Sequence, residues 1–156
     1  MHPRVEEFVT QARERHDFDP DVHEFDEGTK TAAAAAEAIG CDVAQIASSI
    51  AVSTDDGLLV VVTNGSNRVD LERVAELDGA ATVEMADPDE VKETLGWSIG
   101  GVPPFCHGVE VPVYLDETLL SYDDVWAAAG TPEAVFPIDP EELREIASAQ
   151  PARVVE

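Results

Sequence analysis

The stretch from Gly96 to Gly108 constrains the fold more than any other part of the sequence. It holds four glycines and two prolines, in the order Gly-Trp-Ser-Ile-Gly-Gly-Val-Pro-Pro-Phe-Cys-His-Gly. Glycine permits positive φ, whereas proline fixes φ and lacks an N–H, so this stretch cannot form a helix interior or a central strand. Trp97 and Phe105 lie within it, which distinguishes it from a disordered linker. We predict an ordered loop, which is either a tight structural turn or a loop that presents backbone groups to a small ligand.

The amino-acid composition predicts one soluble, folded domain. The chain has 156 residues, 44% of them hydrophobic, which is enough for one core in a single domain over residues 1–156. No segment approaches the roughly 20 apolar residues of a membrane span, and residues 1–7 lack the apolar run of a signal peptide. We therefore expect a cytoplasmic protein with no membrane partner.

Acidic residues dominate the charge of the chain. There are 33 Asp and Glu residues against 9 Lys and Arg residues, so the formal net charge is −24, and Lys30 and Lys92 are its two lysines. This composition is typical of a halophilic host with concentrated cytoplasmic salt, because the Debye length falls to about 3 Å at 1 M and self-repulsion is screened. The charge argues against DNA binding, and an RNA ligand would have to be held by specific contacts to its end.

Cysteine and histidine spacing predicts no metal, no cofactor and no disulfide framework. Cys41 and Cys106 are isolated, and the four histidines show no HExxH pairing. Cys106 and His107 are adjacent, which suggests a nucleophile with its base. Neighbours in sequence rarely present one group to the other, so we interpret Cys106 as a small buried residue.

Helical and strand patterns mix along the chain without a strict βαβ repeat. We expect helices over residues 3–16, 31–39, 43–48, 70–77, 89–95 and 140–147. Strands are expected over residues 22–25, 50–54, 58–63, 81–85, 110–115 and 134–138. Residues 122–128 fit a helix or a strand equally well, and residues 151–156 are expected to pack weakly or as a short edge. The pattern predicts a mixed α/β (α+β) protein whose mixed or antiparallel sheet is surrounded by helices.

The start of the alanine-rich helix is a candidate anion site. Thr29 or Thr31 can cap it, and its free N–H groups carry a partial positive charge. Lys30 lies beside these groups. The alternative interpretation is a surface lysine that balances nearby acidic residues.

Taken in order, these segments resemble the YbaK/aminoacyl-tRNA-synthetase-associated editing domain family, which includes the ProX-type free-standing deacylases. The resemblance covers nearly the whole chain. It rests on residues 29–40, 43–50, 65–71, 96–105, 113–116 and 129–130. It implies a mixed, β-barrel-like sheet flanked by helices.

The same resemblance implies a function, which is hydrolysis of the ester between a wrong amino acid and its tRNA. The typical substrates are alanine or cysteine on the tRNA for proline, so the expected partner is the 3′ acceptor end of a mischarged tRNA. In the family a lysine helps to hold the terminal adenosine, and Ser48 stands at the aligned position here. Cys106 stands where many relatives have glycine.

We assign candidate site residues from the resemblance and the local chemistry together. Gly100 and Gly101 would provide backbone groups for the oxyanion or the attacking water, and one such donor contributes roughly 2.7–4 kcal/mol in other esterolytic sites. Asp116 would support the loop or orient the substrate amine. The substrate contacts are assigned to Lys30, Ser48, Gly65, Pro103 and Phe105. Neither a Ser-His-Asp order nor a GxSxG motif is present, so water is the expected nucleophile.

A second hypothesis stays open beside the enzyme. The chain would then be a binding module for tRNA ends, nucleotides or a protein partner, and it would have lost turnover together with the lysine. Ser48 favours this alternative, and the complete glycine-rich loop favours the deacylase.

Overall fold

The computed structural model describes residues 2–25 and 31–155, so Lys30 of the candidate site lies outside the described residues. Its helices are α1 (Pro3–His16), α2 (Ala32–Ile39), α3 (Leu71–Asp78), α4 (Pro88–Leu95) and α5 (Pro140–Ala147). Its strands are β1 (His23–Glu24), β2 (Ile46–Thr54), β3 (Gly57–Asn64), β4 (Val83–Met85), β5 (Val113–Asp116), β6 (Val125–Ala128), β7 (Ala134–Ile138) and β8 (Gln150–Ala152).

Capping residues set the helix boundaries where the sequence predicted them. Thr31 Oγ1 accepts a hydrogen bond from the Ala34 N–H at 3.1 Å, and Gly40 ends α2 in the left-handed region at φ 86°. Asp70 and Asp139 cap α3 and α5 in the same way. None of the helices in the described chain is long and apolar enough to cross a bilayer.

The strands form one mixed sheet, which confirms the predicted class. The strand order is β1-β7-β6-β2-β3-β5-β8, and β4 pairs with β2 beside this path. The β2–β3 hairpin is antiparallel over its whole length, whereas β2–β6, β3–β5 and β5–β8 are parallel. Over the described residues the sheet is an open path from β1 to β8 rather than a closed barrel.

Strand β2 changes partner along the edge that faces away from β3. It pairs with β6 at Ile46 and Ala47, and with β4 from Val52 to Thr54. Between these two pairings, no described strand pairs with residues 48–51 on this edge. The sheet is therefore split there, and we refer to the space beside residues 48–51, between β4 and β6, as the strand gap.

Aromatic side chains form the centre of the main core. Phe8 of α1 lies 5.2 Å from Phe136, 5.7 Å from Phe105 and 6.2 Å from Trp97, measured between ring centroids. This cluster covers the sheet face that carries Val60 and Val62, while Leu59, Val61 and Tyr114 belong to a second cluster on the opposite face. The apolar run predicted as a buried central strand is thus confirmed as β3.

The prediction of a helix over residues 43–48 is wrong. Val43–Gln45 form a single 3-10 turn capped by Asp42, and β2 begins at Ile46. Ser48 therefore lies in a strand, opposite Thr63 of β3. The Asp42 cap begins a single turn, because the chain pairs with β3 as a strand from Ile46 onward.

Two segments left open by the sequence are resolved as strands. Within residues 122–128, β6 covers Val125–Ala128 and pairs with both β2 and β7. Near the C-terminus, β8 pairs with β5, and Val154 is completely buried. The edge-strand interpretation of the tail is therefore correct, and the tail contributes to the core.

The ion pairs on the described surface cannot offset the excess of acidic residues. Arg4–Glu7, Arg13–Asp19 and Arg144–Glu141 are separated by 2.6, 2.7 and 3.3 Å, and all six side chains are at least one-third exposed. Exposed pairs of this kind contribute about 0–1 kcal/mol each. Repulsion among the acidic residues, which give the net charge of −24, therefore opposes folding at low salt.

We expect the free energy of unfolding to rise as KCl is raised from 0.1 M to about 2 M, because screening weakens this repulsion. Urea unfolding at each salt concentration would measure it. As a control, the triple substitution Glu14→Gln, Glu76→Gln and Glu93→Gln, at exposed helix positions, should reduce the gain. A free energy that stays constant or falls with KCl would contradict the prediction.

Candidate functional site

A cavity of about 250 Å³ occupies the strand gap. This volume equals the space of about eight molecules in liquid water. Its walls come from β2, the first turns of α2, β6, β7 and the glycine-rich loop. Among the described lining residues the polar side chains are Thr31, Ser48 and Ser49.

The cavity reaches both faces of β2. Ala47, Ser49 and Ala51 point to the main-core face, because side chains alternate along a strand and both alanines belong to that cluster. Ser48 and Ile50 point to the opposite face, where α2 lies. The cavity is therefore a passage through the split sheet rather than a surface groove.

The rim of the cavity is apolar and exposed. Met85 and Ile99 both line it, and they are 54% and 53% exposed. Trp126 contributes a half-buried ring on the β6 side. Such a rim places an exposed apolar surface beside a mostly apolar interior that carries three hydroxyl groups.

The glycine-rich loop combines the two roles that the sequence left open. Its base is closed by the Gly108 N–H, which donates to the Leu95 carbonyl at 2.8 Å. Trp97 and Phe105 are only 1% and 3% exposed and pack into the core. Gly100 instead lines the cavity. One side of the loop is thus a packed structural turn, and the other side faces the candidate ligand site.

Contacts from α1 fix the loop in position. The Arg4 guanidinium lies 4.4 Å from the centroid of the Trp97 ring and donates a hydrogen bond to the Gly96 carbonyl. Trp97 Nε1 donates to the Cys106 carbonyl at 2.9 Å, and the Gly130 N–H donates to the Gly101 carbonyl at 3.1 Å. The loop backbone is therefore held in place without any ligand.

Comparison with known proteins identifies the family. The sequence model described as the aminoacyl-tRNA editing domain matches residues 26–146. The chain belongs to the aminoacyl-tRNA editing domain family. The resemblance read from the sequence is thus confirmed, and so is the general function, aminoacyl-tRNA editing.

Full-length relatives agree with this assignment. The chain is 33% identical to the uncharacterized protein YwhH of Bacillus subtilis over 126 residues, which is 80% of each chain. It is 26% identical to EbsC of Enterococcus faecalis, a candidate Cys-tRNA(Pro)/Cys-tRNA(Cys) deacylase, over 90% of this chain and 88% of the relative. The crystal structure of a candidate trans-editing enzyme for prolyl-tRNA synthetase matches with a TM-score of 0.95 and 38% identity, covering 100% of this chain and 99% of that one.

Of the two glycines assigned to catalysis, Gly100 lines the cavity of this editing domain and Gly101 does not. The Gly101 N–H donates to the Ser98 carbonyl at 3.0 Å, so this donor is already used within the loop. A Cβ at position 101 would lie 2.7 Å from Thr131 Cα. Gly101 thus permits close backbone packing, and Gly100, at φ 91°, is the better candidate for contact with substrate.

Asp116 of the editing domain is fully buried and lies outside the cavity lining. Its Oδ2 accepts hydrogen bonds from the Asn64 N–H at 3.0 Å and from Asn67 Nδ2 at 3.2 Å. Its Oδ1 accepts from the Thr118 N–H at 3.0 Å and from Thr118 Oγ1 at 2.8 Å. The carboxylate therefore supports the turn after β3 rather than the glycine-rich loop.

The substrate contacts assigned from sequence separate into two groups. Ser48 lines the cavity, and its contact with the substrate stays a prediction. Gly65 instead packs against the chain, because a Cβ there would lie 2.7 Å from the Val43 carbonyl oxygen. The Pro103 carbonyl accepts a hydrogen bond from His107 Nε2 at 2.8 Å, and Phe105 lies in the aromatic core. These last three residues thus shape the site from outside the cavity lining.

Cys106 and His107 do not form a nucleophile–base pair. Burial raises the pKa of the Cys106 thiol to about 11, so the thiol is protonated at neutral pH. His107 directs its Nε2 at the Pro103 carbonyl, and burial lowers its pKa. Both residues therefore support the loop, in agreement with the interpretation of Cys106 as a small buried residue.

The cavity lining carries no ionisable side chain among the described residues. The same part of the chain contains no group of three or more His, Cys, Asp or Glu side chains arranged to hold a metal ion. Chemistry in this cavity would rely on backbone groups, hydroxyl groups and water.

Ser49 is a lining residue that sequence reasoning missed. Its Oγ is buried and has no hydrogen-bond partner in the described structure. Serine in a strand gives no signal of this kind, because the unpaired state depends on how β4 and β6 diverge.

We expect Asp116→Ala to lower the free energy of unfolding by about 3 kcal/mol or more, because it leaves buried donors unpaired. Asp87→Ala, which removes an exposed cap that bonds only the Asp89 N–H at 2.8 Å, is the matched control and should cost about 1 kcal/mol. Urea unfolding measures both. Loss of activity in Asp116→Ala without loss of stability would instead support a direct catalytic role.

We also expect the free energy of unfolding to fall as the pH drops below about 6.5. Burial lowers the pKa values of His16 and His107, so the unfolded chain binds protons that the folded chain excludes. His107→Gln, which keeps a donor for the Pro103 carbonyl, should show a smaller fall between about pH 7 and pH 5. Measurements near pH 8, where imidazole is neutral in both states, provide the internal control. Equal slopes in the two proteins would contradict the prediction.

Proposed function

We propose that this editing domain is a free-standing deacylase for a small amino acid wrongly attached to the tRNA for proline. Alanine and cysteine are the candidate amino acids. The observation that carries the proposal is a cavity of about 250 Å³ in the strand gap, with an apolar interior and no ionisable side chain among its described lining residues. The names of two relatives support the choice of tRNA, since both refer to tRNA(Pro) or to prolyl-tRNA synthetase.

The dimensions of the cavity suit a small aminoacyl group. Its core-side walls are Ala51, Ala86, Val91 and Val102, which offer methyl groups and little polar surface. The volume of about 250 Å³ leaves room for a short side chain, the ester and an attacking water.

The chemistry requires little from protein side chains because an aminoacyl ester is already activated. Water attacks the ester carbonyl carbon and forms a tetrahedral oxyanion, for which we assign the Gly100 backbone as the candidate stabilising group. The bond between the carbonyl carbon and the ribose oxygen then breaks. The ribose oxygen takes up a proton, and the water supplies the oxygen and the remaining proton of the free amino acid.

The terminal adenosine would rest on the outer part of the cavity. Met85 and Ile99 offer an apolar surface to the base, and the Ser48 hydroxyl can hydrogen-bond to the ribose or its phosphate. Lys30 precedes Thr31, a lining residue, and remains a candidate contact to the phosphate. The body of the tRNA would stay in solvent, and we expect this reaction to take place in the cytoplasm.

A binding module without turnover is the second candidate function. It is favoured by Ser48, because the family lysine that helps to hold the adenosine is replaced by an uncharged residue. The held conformation of the glycine-rich loop favours the deacylase instead, since backbone catalysis requires fixed donors.

We expect the protein to hydrolyse Ala-tRNA(Pro) or Cys-tRNA(Pro) in multimolar KCl faster than the spontaneous rate. Pro-tRNA(Pro) is the control substrate and should be spared, because an editing enzyme must leave the correctly charged tRNA intact. Release of labelled amino acid measures both. Retained tRNA binding without turnover of any substrate would favour the binding module.

Filling the cavity should reduce this activity. Ala35→Leu places three additional carbon atoms into the cavity wall formed by α2, and displacement of the substrate at about 1–3 kcal/mol corresponds to a loss of roughly 5- to 150-fold in kcat/KM. Ala33→Leu, two residues earlier and exposed, is the matched control and should leave kcat/KM unchanged. An unaltered rate in Ala35→Leu would show that catalysis takes place elsewhere.

A further inference from the structure

We propose that Ser49 positions the aminoacyl group of the substrate, because it lines the cavity, its backbone faces the strand gap and its buried hydroxyl lacks a partner. This inference rests on the proposed function and adds a positioning residue to it. The chemical group recognised is a small α-aminoacyl ester with a free amine.

The Ser49 hydroxyl is the first observation. Its Oγ is buried and has no hydrogen-bond partner in the described structure, and Ser49 is one of the residues that line the cavity. A buried polar atom without a partner destabilises the fold, and native proteins keep few such atoms. The neighbours on the same strand face, Ala47 and Ala51, carry no polar side-chain atom that could pair with the hydroxyl. A ligand in the cavity would provide the missing partner.

The hairpin register is the second observation, and it is independent of the first. Thr54 and Gly57 close the two-residue turn, so every second residue of β2 from Thr54 backward bonds to β3. Ser49 falls in the other set, whose N–H and C=O groups point away from β3. Two loop hydrogen bonds agree with this assignment. Gly65 N–H bonds the Ile46 carbonyl on the β3 side, and Ala86 N–H bonds the Ala51 carbonyl on the gap side.

The backbone of Ser49 therefore faces a stretch of β2 edge where no described strand pairs. An unpaired edge offers alternating donors and acceptors to an added strand. An aminoacyl group contains the same N–Cα–C=O unit as one residue of a strand. The aminoacyl group can therefore form backbone hydrogen bonds with this edge, as one residue of an added strand would.

This pairing gives each polar group of the substrate a partner. The Ser49 carbonyl can accept a hydrogen bond from the substrate ammonium group. The Ser49 N–H and hydroxyl can donate to the ester carbonyl oxygen. The carbonyl carbon would then be held beside Gly100, which lines the same cavity.

Ser49→Ala tests the inference, because it should change activity and stability in opposite directions. We expect kcat/KM for Ala-tRNA(Pro) or Cys-tRNA(Pro) to fall about tenfold, which is the loss of roughly one hydrogen bond to the substrate. The midpoint of urea unfolding should stay constant or rise, since the substitution removes an unpaired buried hydroxyl. Ser49→Thr, which keeps the hydroxyl on a β-branched residue suited to a strand, should restore most of the rate.

Ser53→Ala is the matched control. Ser53 lies on the same strand and points to the same face, but it is outside the cavity lining and bonds Glu90 at 3.5 Å. This variant should keep the wild-type kcat/KM.

The outcomes separate this inference from the proposed function. An active wild type with unchanged kcat/KM in Ser49→Ala overturns the role of Ser49 and leaves the deacylase standing. Parallel loss of stability and activity in Ser49→Ala, without recovery in Ser49→Thr, shows a packing role and also overturns it. A wild type that hydrolyses none of the substrates overturns the proposed function and this inference together.

Discussion

The cavity exists because β2 changes its hydrogen-bonding partner in the middle of the strand. Backbone N–H and C=O groups in a protein interior need partners, and a strand with different neighbours at its two ends leaves some of them unpaired between. Here no described strand pairs with residues 48–51 on the edge between the β6 pairing and the β4 pairing, and the Ser49 backbone points to this edge. α2 approaches this stretch with alanines, and the glycine-rich loop approaches it with Gly100. The residues on both walls have small side chains or none, so the gap remains open to a ligand.

The glycine-rich loop, which completes the cavity wall, is fixed in position by the residues on its core-facing side. Trp97 and Phe105 are buried against Phe8, and Arg4 bonds the loop backbone at Gly96. Backbone dipoles stabilise a transition state most strongly when they are already oriented, since reorientation during the reaction would cost free energy that cancels the stabilisation. The aromatic core thus contributes to the site without touching it. It also explains why Phe105, assigned to the substrate from sequence, lies behind the loop.

The sequence predicted the family, the class of fold and the position of the loop, but it could not separate glycines by their neighbours. Gly100 faces the cavity, whereas Gly65 and Gly101 leave space for other parts of the backbone. All three need the absence of a Cβ, so they look alike in one sequence. Ser48 was predicted on a helix because Asp42 can cap the turn that follows it, which is a local signal. The pairing with β3, which decides the strand, involves residues far along the chain and leaves no local trace.

The neutral cavity and the acidic surface are consistent with one another. A net charge of −24 repels tRNA phosphates at low salt, and one lysine in place of Ser48 would offset little of that charge. At about 1 M salt the screening length is near 3 Å, so the repulsion and the attraction of a lysine to phosphate both weaken. Recognition would then depend on contacts of short range, which are hydrogen bonds to β2 and apolar contact with Met85 and Ile99. Such contacts keep their strength in concentrated salt, so the loss of a charged contact at position 48 need not remove the ability to bind the acceptor end.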